Sequence, residues 1–141
     1  MLKKVSLEKI NALNRNTLME ALNITCVETG EDYIIAEMPV NSNTHQPMGL
    51  LHGGASAALI ESIGSIGSSL IIDLDKQAPV GLEINANHLR GVRSGFVKAI
   101  GKIIHIGKKT HVWQVDIFDK QNEKLVCTGR LTVMIIDKPS Q

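Results

Sequence analysis

The first apolar pattern along the chain is a helical one. Residues 6–14 carry apolar side chains about three positions apart, and Ser6 near their start is a residue that caps helices well. The apolar positions are Leu7, Ile10 and Leu13. A second short helix is predicted from Thr17 to Leu22. The sequence therefore predicts two short helices before any strand.

Extended segments follow these helices. Two strands are predicted at residues 24–29 and 33–40, joined by a turn at 29–32, because the second is rich in strand-forming residues and closes at a proline. Residues 41–52 have no regular period and are predicted to form a loop. After Pro79 short turns separate the strands, which favours antiparallel pairing. These later strands are predicted at residues 80–91, 95–106, 111–119 and 124–136.

One long helix is predicted between the two groups of strands, from about Gly53 to Asp73. Apart from a stripe of large apolar residues, most of its residues are Gly, Ala and Ser. Each Gly inside a helix lowers helix stability by about 1 kcal/mol relative to Ala. Close approach of another backbone on several sides would offset this cost, so the helix is predicted to be wrapped. The predicted fold class is α+β, with a curled antiparallel sheet of five or six strands around one long helix. The apolar stripe of the helix consists of Leu59, Ile60, Ile63, Ile66, Leu70 and Ile71.

The composition limits the classes of function. A chain of 141 residues with 43% hydrophobic content predicts one domain over residues 1–141. Lys and Arg number 15 against 14 Asp and Glu, which argues against a surface built as a whole for nucleic acid or an anionic membrane. An aromatic content of 3% provides few side chains for stacking on bases.

The cysteines and the apolar runs limit the compartment. Cys26 and Cys127 do not form a CxxC pair, so a structural zinc site is not expected. No stretch approaches the roughly 18 apolar residues of a membrane span, and the first ten residues do not resemble a signal peptide. We expect a cytoplasmic protein with reduced thiols and no membrane partner.

Candidate chemistry begins at His52-Gly53-Gly54, the predicted start of the long helix. The first N–H groups of a helix lack internal partners, the helix dipole places positive charge there, and glycine leaves room for a carbonyl oxygen. Such an arrangement can stabilise an oxyanion. Gln46, six residues before His52, can add a side-chain donor. An ordinary glycine-rich helix entry is the alternative explanation of these residues.

Glu61 is the second candidate, because it is the only charged residue between Gly49 and Asp73. A carboxylate in a wrapped apolar helix loses hydration, which raises its pKa toward the range of a general base. Ser65 lies one turn later on the same face, within reach of Glu61 or of a water that Glu61 holds. The alternative is that Glu61 lies on a solvated strip of the helix and has no chemical role.

Gly53 and Glu61 are too far apart in one chain for a single carbonyl group to touch both. Eight helical steps separate them, which is about 12 Å along the helix axis and about 80° around it. A two-fold dimer brings the Glu61 of one copy to the helix start of the other. The sequence therefore predicts a homodimer with two composite sites.

Positive charge is concentrated between His88 and His111. This stretch of 24 residues contains six Lys and Arg and no Asp or Glu, whereas residues 1–75 contain nine acids and four bases. Local positive charge suits a small polyanion such as a nucleotide with phosphates. Solvated strand edges protected by lysine are the alternative. The basic residues are Arg90, Arg93, Lys98, Lys102, Lys108 and Lys109.

Two segments resemble a known family. Residues 46–65 (QPMGLLHGGASAALIESIGS) and 81–90 (GLEINANHLR) resemble the hotdog-fold acyl-CoA thioesterases, in particular the PaaI-like members that act on 1,4-dihydroxy-2-naphthoyl-CoA in menaquinone synthesis. The resemblance implies hydrolysis of an aromatic or medium-chain acyl-CoA to the free acid and CoA. It also implies a dimer whose sheets join edge to edge, and a dimer of dimers. The resemblance implies neither a metal nor a bound cofactor, since coenzyme A is part of the substrate.

The resemblance also assigns roles to individual residues. It implies that the Gly53 N–H holds the thioester carbonyl, with help from Gln46 and with His52 nearby. It implies that Glu61 of the neighbouring subunit is the nucleophile or the general base, and that Ser65 orients the water or the carboxylate. The residues implied to bind the nucleotide end of coenzyme A are Gly81, His88, Leu89, Arg90, Gly91, His105, Ile106, Gly107, Lys108, Lys109 and Thr110. Taken from the sequence alone, His88 is equally compatible with a core histidine.

Departures from the family pattern concern the choice of substrate. Met48 stands where close relatives often have an aromatic residue, and the turn at residues 107–110 offers lysines for phosphate contacts. The acyl group accepted is expected to depend on the packing of Met48, Ile60 and Ile63 with their dimer partners. A non-enzymatic acyl-CoA sensor and a hydratase or dehydratase are the two alternative functions on the same fold.

Overall fold

The helices and strands follow the predicted order along the chain. The computed structural model describes residues 1–139. No helix among these residues combines the length and the apolar composition that crossing a membrane requires. The elements are α1 (Leu7–Ala12), α2 (Leu18–Ala21), β1 (Thr25–Thr29), β2 (Tyr33–Pro39), α3 (Gly53–Ser69), β3 (Gln77–His88), β4 (Phe96–Ile106), β5 (Thr110–Asp119) and β6 (Leu125–Asp137).

The strands form one antiparallel sheet in the order β1-β2-β4-β5-β6-β3. The chain leaves β2, passes through α3 and enters the sheet again at the opposite edge, where β3 pairs with β6. This pairing runs from Gln77 opposite Asp137 to His88 opposite Cys127, with an irregularity at Leu82. The predicted α+β fold, a curled antiparallel sheet with one long helix, is confirmed.

Helix α3 buries one side against the sheet. Its glycines make room for large side chains there: a Cβ on Gly64 would press on Leu131, and a Cβ on Gly67 would overlap the ring of Trp113. The prediction that these glycines admit a neighbouring backbone is therefore wrong, because side chains of the sheet fill the space. The fully buried apolar residues of α3 are Leu59, Ile60 and Ile63.

Helix α3 is shorter than predicted. It ends at Ser69, not near Asp73. The Leu70 N–H is shared between the carbonyls of Ile66 and Gly67, so the last turn tightens and the regular hydrogen-bond ladder stops. The small residues at the start of α3 and the apolar stripe were sufficient to predict its first residue but not its last.

Strand β3 also differs from its predicted bounds. It begins at Gln77, before Pro79, since a strand at the edge of a sheet tolerates a residue without an N–H. It ends at His88, because the N–H groups of Leu89 and Arg90 both donate to the carbonyl of Val126 and the regular register is lost. Residues 89–91 thus follow the strand without regular secondary structure.

The two N-terminal helices are fixed by short polar contacts. Ser6 caps α1 by accepting a hydrogen bond from the Lys9 N–H, as its position in the sequence predicts. The Asn11 side chain then bonds both the N–H and the carbonyl of Cys26, each at 2.8 Å, and so ties α1 to β1. Cys26 and Cys127 are buried and free.

Candidate active site

The start of α3 presents one free backbone donor. His52 caps the helix, and its Nδ1 accepts a hydrogen bond from the Gly54 N–H at 2.7 Å. The carbonyl of His52 accepts from the N–H groups of Ala55 and Ser56. Among residues 1–139 the Gly53 N–H has no hydrogen-bond partner. The helix start therefore aims the Gly53 N–H at whatever ligand lies in front of it.

His52 has a structural task as well as a place near the candidate oxyanion site. Because its Nδ1 is an acceptor, a neutral His52 carries its proton on Nε2. The Nε2–H of neutral His52 is then a second donor beside the helix start, in addition to the Gly53 N–H.

A cleft of about 410 Å³ opens in front of Gly53 and joins two groups of predicted site residues. Gln46 and Gly53 line one side, and the strand end formed by residues 88–91 lines the other. The His88 ring lies against Gly53, since a Cβ on that glycine would be 2.9 Å from His88 Nε2. His88 is exposed, so it is not a core histidine. Ser56, which the sequence did not single out, also lines the cleft.

Gln46 is held by a tight turn over residues 46–50. Its N–H donates to the carbonyl of Leu50 at 2.8 Å, and its carbonyl accepts from the Gly49 N–H at 2.9 Å. Gly49 has φ +74°, a conformation that favours glycine. The side-chain Oε1 of Gln46 accepts from the Met48 N–H. The side-chain NH₂ group is then the part of Gln46 that can donate into the cleft.

Glu61 lies half-buried on α3, and burial raises the pKa of its carboxyl group above the ordinary value. Its carboxylate lies over Gly81 of β3, where a Cβ would overlap Oε1. The absence of a side chain at Gly81 therefore makes room for the carboxylate. The register irregularity at Leu82 directly follows this position.

Glu61 and the cleft are separate places in one chain. The helix between Gly53 and Glu61 is unbroken, so their backbones stay about 12 Å apart. On β3, Gly81 and His88 are separated by seven residues, or about 23 Å of strand. Gly81 thus lies with Glu61 and not with residues 88–91, where the resemblance grouped it.

The remaining predicted nucleotide-binding residues lie at the opposite end of α3. Residues 106–109 line a cavity of about 520 Å³ together with Ile71, Ile72 and Asp73, which follow the helix C-terminus. Lys102, from the same basic stretch of sequence, forms an ion pair with Asp32 at 3.4 Å. Within one chain the residues 105–110 are therefore not neighbours of residues 88–91.

A buried polar group near this cavity was missed by sequence reasoning. Trp113 Nε1 donates to Ser68 Oγ at 3.0 Å, and His111 Nδ1 lies 3.1 Å from the same oxygen. Burial lowers the pKa of His111, and the charges of His105 and the N-terminus add to this effect. The strand alternation of β5 places His111 and Trp113 on the core face, which is the signal that could have identified them.

Ser65 lines an apolar pocket of about 560 Å³ between α3 and the N-terminal helices. Ile10 and Leu13 from the α1 region, Met19 from α2 and Ile66 from α3 supply apolar walls. No hydrogen bond joins the Ser65 and Glu61 side chains within the described part of the chain.

The three residues on which the choice of acyl group was expected to depend differ in their exposure to solvent. Ile60 and Ile63 are fully buried against the sheet, and neither lines the cleft at Gly53 or the apolar pocket at Ser65. Their direction follows from the helix period, which turns both toward the core. Met48 is 73% exposed and remains available to a ligand or a neighbouring subunit.

Comparison with known proteins gives consistent matches. The model of the thioesterase superfamily matches residues 48–126. The chain is 46% identical over 134 residues to the 1,4-dihydroxy-2-naphthoyl-CoA hydrolase of Escherichia coli strain K12, with 95% of this chain and 97% of that protein covered. The crystal structure of a thioesterase from Haemophilus influenzae matches with a TM-score of 0.91 at 47% identity, covering 97% of this chain and 96% of that one. A thioesterase from Pseudomonas aeruginosa, crystallised as a Gln-to-Ala mutant, matches with a TM-score of 0.93 at 43% identity, covering 96% and 97%.

Proposed function

This chain belongs to the thioesterase superfamily and is a thioester hydrolase, and we propose that its substrate is an aromatic or medium-chain acyl-CoA, cleaved to the free acid and CoA. The observation that carries the proposal is the Gly53 N–H at the start of α3, which has no hydrogen-bond partner within residues 1–139 and shares a cleft with Gln46. The relative named for 1,4-dihydroxy-2-naphthoyl-CoA favours an aromatic acyl group. No cofactor is part of the proposal.

The proposed site is composite and needs two copies of the chain. Strand β3 is an edge strand of twelve residues, and its apolar side chains Val80, Leu82 and Ile84 are 37–54% exposed. A long apolar edge of this kind is a template for pairing with another strand. Pairing of two β3 edges about a two-fold axis would set the α3 helices side by side and bring Glu61 of one copy toward Gly53 of the other. Association of two such dimers remains part of the proposal taken from the family resemblance.

In the proposed reaction the thioester carbonyl oxygen accepts hydrogen bonds from the Gly53 N–H and the Gln46 side-chain NH₂. Glu61 of the other copy attacks the carbonyl carbon or takes a proton from an attacking water. The oxyanion of the tetrahedral intermediate is stabilised by the same two donors and by the helix dipole. The C–S bond then breaks and CoA leaves as the thiolate, which takes up a proton. If Glu61 is the nucleophile, the acyl group is then held on Glu61 as an anhydride, and water hydrolyses this anhydride to the free acid and restores the carboxylate. The raised pKa of Glu61 suits a general base, because proton transfer is most efficient when the pKa is near the working pH.

The acyl group and the nucleotide are assigned to different parts of the dimer. Ser65 lies one turn from Glu61 and lines the apolar pocket under α1 and α2, so we place the acyl group there, in the copy that supplies Glu61. Arg90 in the cleft and the lysines at 108 and 109 are the candidates for contacts with phosphates. Because residues 105–110 lie at the C-terminal end of α3, a second copy must supply them to any substrate held at Gly53.

The experiment is a thiol-release assay on a panel of aromatic and straight-chain CoA esters, using two variants at one position. Gly53→Pro removes the N–H, and the first helical position together with the extended His52 (φ −67°, ψ 130°) suits a proline. Gly53→Ala keeps the N–H and adds the same Cβ beside His88. We expect Gly53→Pro to lower kcat about 10²–10³-fold and Gly53→Ala to lower it much less. Equal activities of the two variants would remove the Gly53 N–H from the mechanism.

A further inference from the structure

Ser56 is a buried serine whose hydroxyl has no partner. It lies in the first turn of α3 and is 2% exposed, and among residues 1–139 no hydrogen bond joins its side chain to another group. A serine inside a helix can donate its hydroxyl to the carbonyl four positions earlier. Ser62 and Ser69 do so, donating to Ala58 at 2.6 Å and to Ser65 at 2.9 Å. Ser56, unlike Ser62 and Ser69, leaves its hydroxyl free to face the cleft that it lines.

Stability does not account for a serine at this position. A hydroxyl without a protein partner adds no stability, and alanine would fill the same space with a higher helix propensity. What the position does have is access to the cleft that holds Gly53, Gln46 and Arg90. Ser56 lies three residues after Gly53, which places both on one side of the helix, and helical side chains lean toward the N-terminus. The Ser56 side chain thus borders the same space as the free Gly53 N–H.

The positions of Gly53 and Arg90 in the cleft indicate which part of an acyl-CoA would lie beside Ser56. The first N–H groups of a helix point out of its end, so the thioester oxygen lies in front of Gly53 rather than beside Ser56. The arm attached to the thioester sulfur carries an amide a few bonds from that sulfur and leads on to the phosphates, for which Arg90 is the cationic side chain of the cleft. The arm must therefore run from the helix start toward the end of β3. Ser56 borders that path.

We propose that the Ser56 hydroxyl hydrogen-bonds the pantetheine amide nearest the thioester. A serine hydroxyl can donate to the amide carbonyl or accept from the amide N–H. The inference rests on the proposed function, because it assigns a binding contact to the substrate of that same site. It makes Ser56 a residue that distinguishes pantetheine thioesters from simple alkyl thioesters of the same acid.

The test compares Ser56→Ala with the wild type on three thioesters of one acid. The CoA and N-acetylcysteamine esters contain the amide, and the ethanethiol ester does not. We expect Ser56→Ala to lower kcat/KM about 5- to 10-fold for the first two esters and to leave the third within about twofold. Ser62→Ala is the matched control, since it removes a serine hydroxyl of the same helix that already has a partner, and it should change all three esters equally. The melting temperature of Ser56→Ala should not fall below that of the wild type.

Each other outcome has a definite meaning. An equal loss on all three esters would overturn the inference, because Ser56 would then act at the thioester carbonyl or through the fold. No loss on any ester would also overturn it. A wild-type protein that releases thiol from none of the CoA esters would instead overturn the proposed function, and this inference with it.

Discussion

The acidity of Glu61 depends on whether its carboxylate is exposed or buried. On an exposed face it would be an ordinary carboxylate, whereas the structure half-buries it over Gly81 and burial raises its pKa. Its environment is explained by a sequence pattern, namely a single charge within a run of small and apolar residues. Two predictions at the scale of single residues follow from this environment.

The first concerns turnover. Glu61→Gln keeps the size of the side chain but removes the carboxylate that acts as nucleophile or base, so we expect kcat to fall about 10²–10⁴-fold. The measurement is thiol release with the best CoA ester of the panel, with circular dichroism to establish that the variant is folded. Turnover close to the wild-type value would exclude Glu61 from the chemistry.

The second concerns stability as a function of pH. Because the folded-state pKa of Glu61 is raised, the folded protein binds a proton that the unfolded chain releases, and stability decreases as pH rises from the ordinary carboxyl pKa through the raised one. Glu61→Gln lacks this loss. We therefore expect the variant to melt at a higher temperature than the wild type at neutral pH, with the difference vanishing below the ordinary carboxyl range. A difference that does not depend on pH would contradict this origin.

At the scale of elements, the contact between α3 and β3 positions the carboxylate. Gly81→Ala adds a Cβ where Glu61 Oε1 now lies, and the end of a flexible side chain can move away. We expect Gly81→Ala to fold with a melting temperature within a few degrees of the wild type and to lose about tenfold or more in kcat, because a displaced base loses its geometry. A thermal melt and a thiol-release assay on the same preparation test this. Full activity would show that the position of the carboxylate over β3 does not matter.

The contact between α3 and β5 predicts a pH dependence of the opposite sign. His111 has a lowered pKa in the fold because it is buried, so the unfolded chain binds more protons and stability decreases as pH falls below the ordinary histidine pKa of about 6.5. His111→Phe removes this proton uptake together with the contact to Ser68. We expect the variant to be less stable at pH 7.5 but to lose less stability than the wild type between pH 7 and 5. Parallel melting curves over this range would assign the acid sensitivity to other groups.

At the scale of the whole molecule, sequence reasoning was most successful where a pattern has a direct structural meaning. The turns between strands and the small-residue helix were sufficient to predict the order of elements and the α+β class. Reasoning failed where tertiary contacts decide: the end of α3 at Ser69 and the side chains that fill the space at Gly64. These features depend on which residues meet across the sheet.

The candidate site was predicted only where it depends on local spacing along the chain. Spacing alone placed the helix start and Glu61 about 12 Å apart, and the structure preserves this separation because α3 is unbroken. Three other features of the site bring together segments that are distant in sequence. His88 contacts Gly53, Glu61 contacts Gly81, and Ser56 lines one cleft with residues 88–91. No local pattern reports such meetings. They depend on the register of β3 on β6 and on the packing of α3 against β3.

Complementation between two inactive variants tests the central claim, that each site is built from two copies of the chain. Glu61→Ala and Gly53→Pro are expected to be inactive as separate proteins, because every site in each lacks one essential group. When equal amounts are refolded together and subunits assort at random, about one quarter of the sites combine an intact Gly53 with an intact Glu61. The account predicts recovery of about one quarter of wild-type thiol release. A mixture that assembles but remains inactive would contradict it.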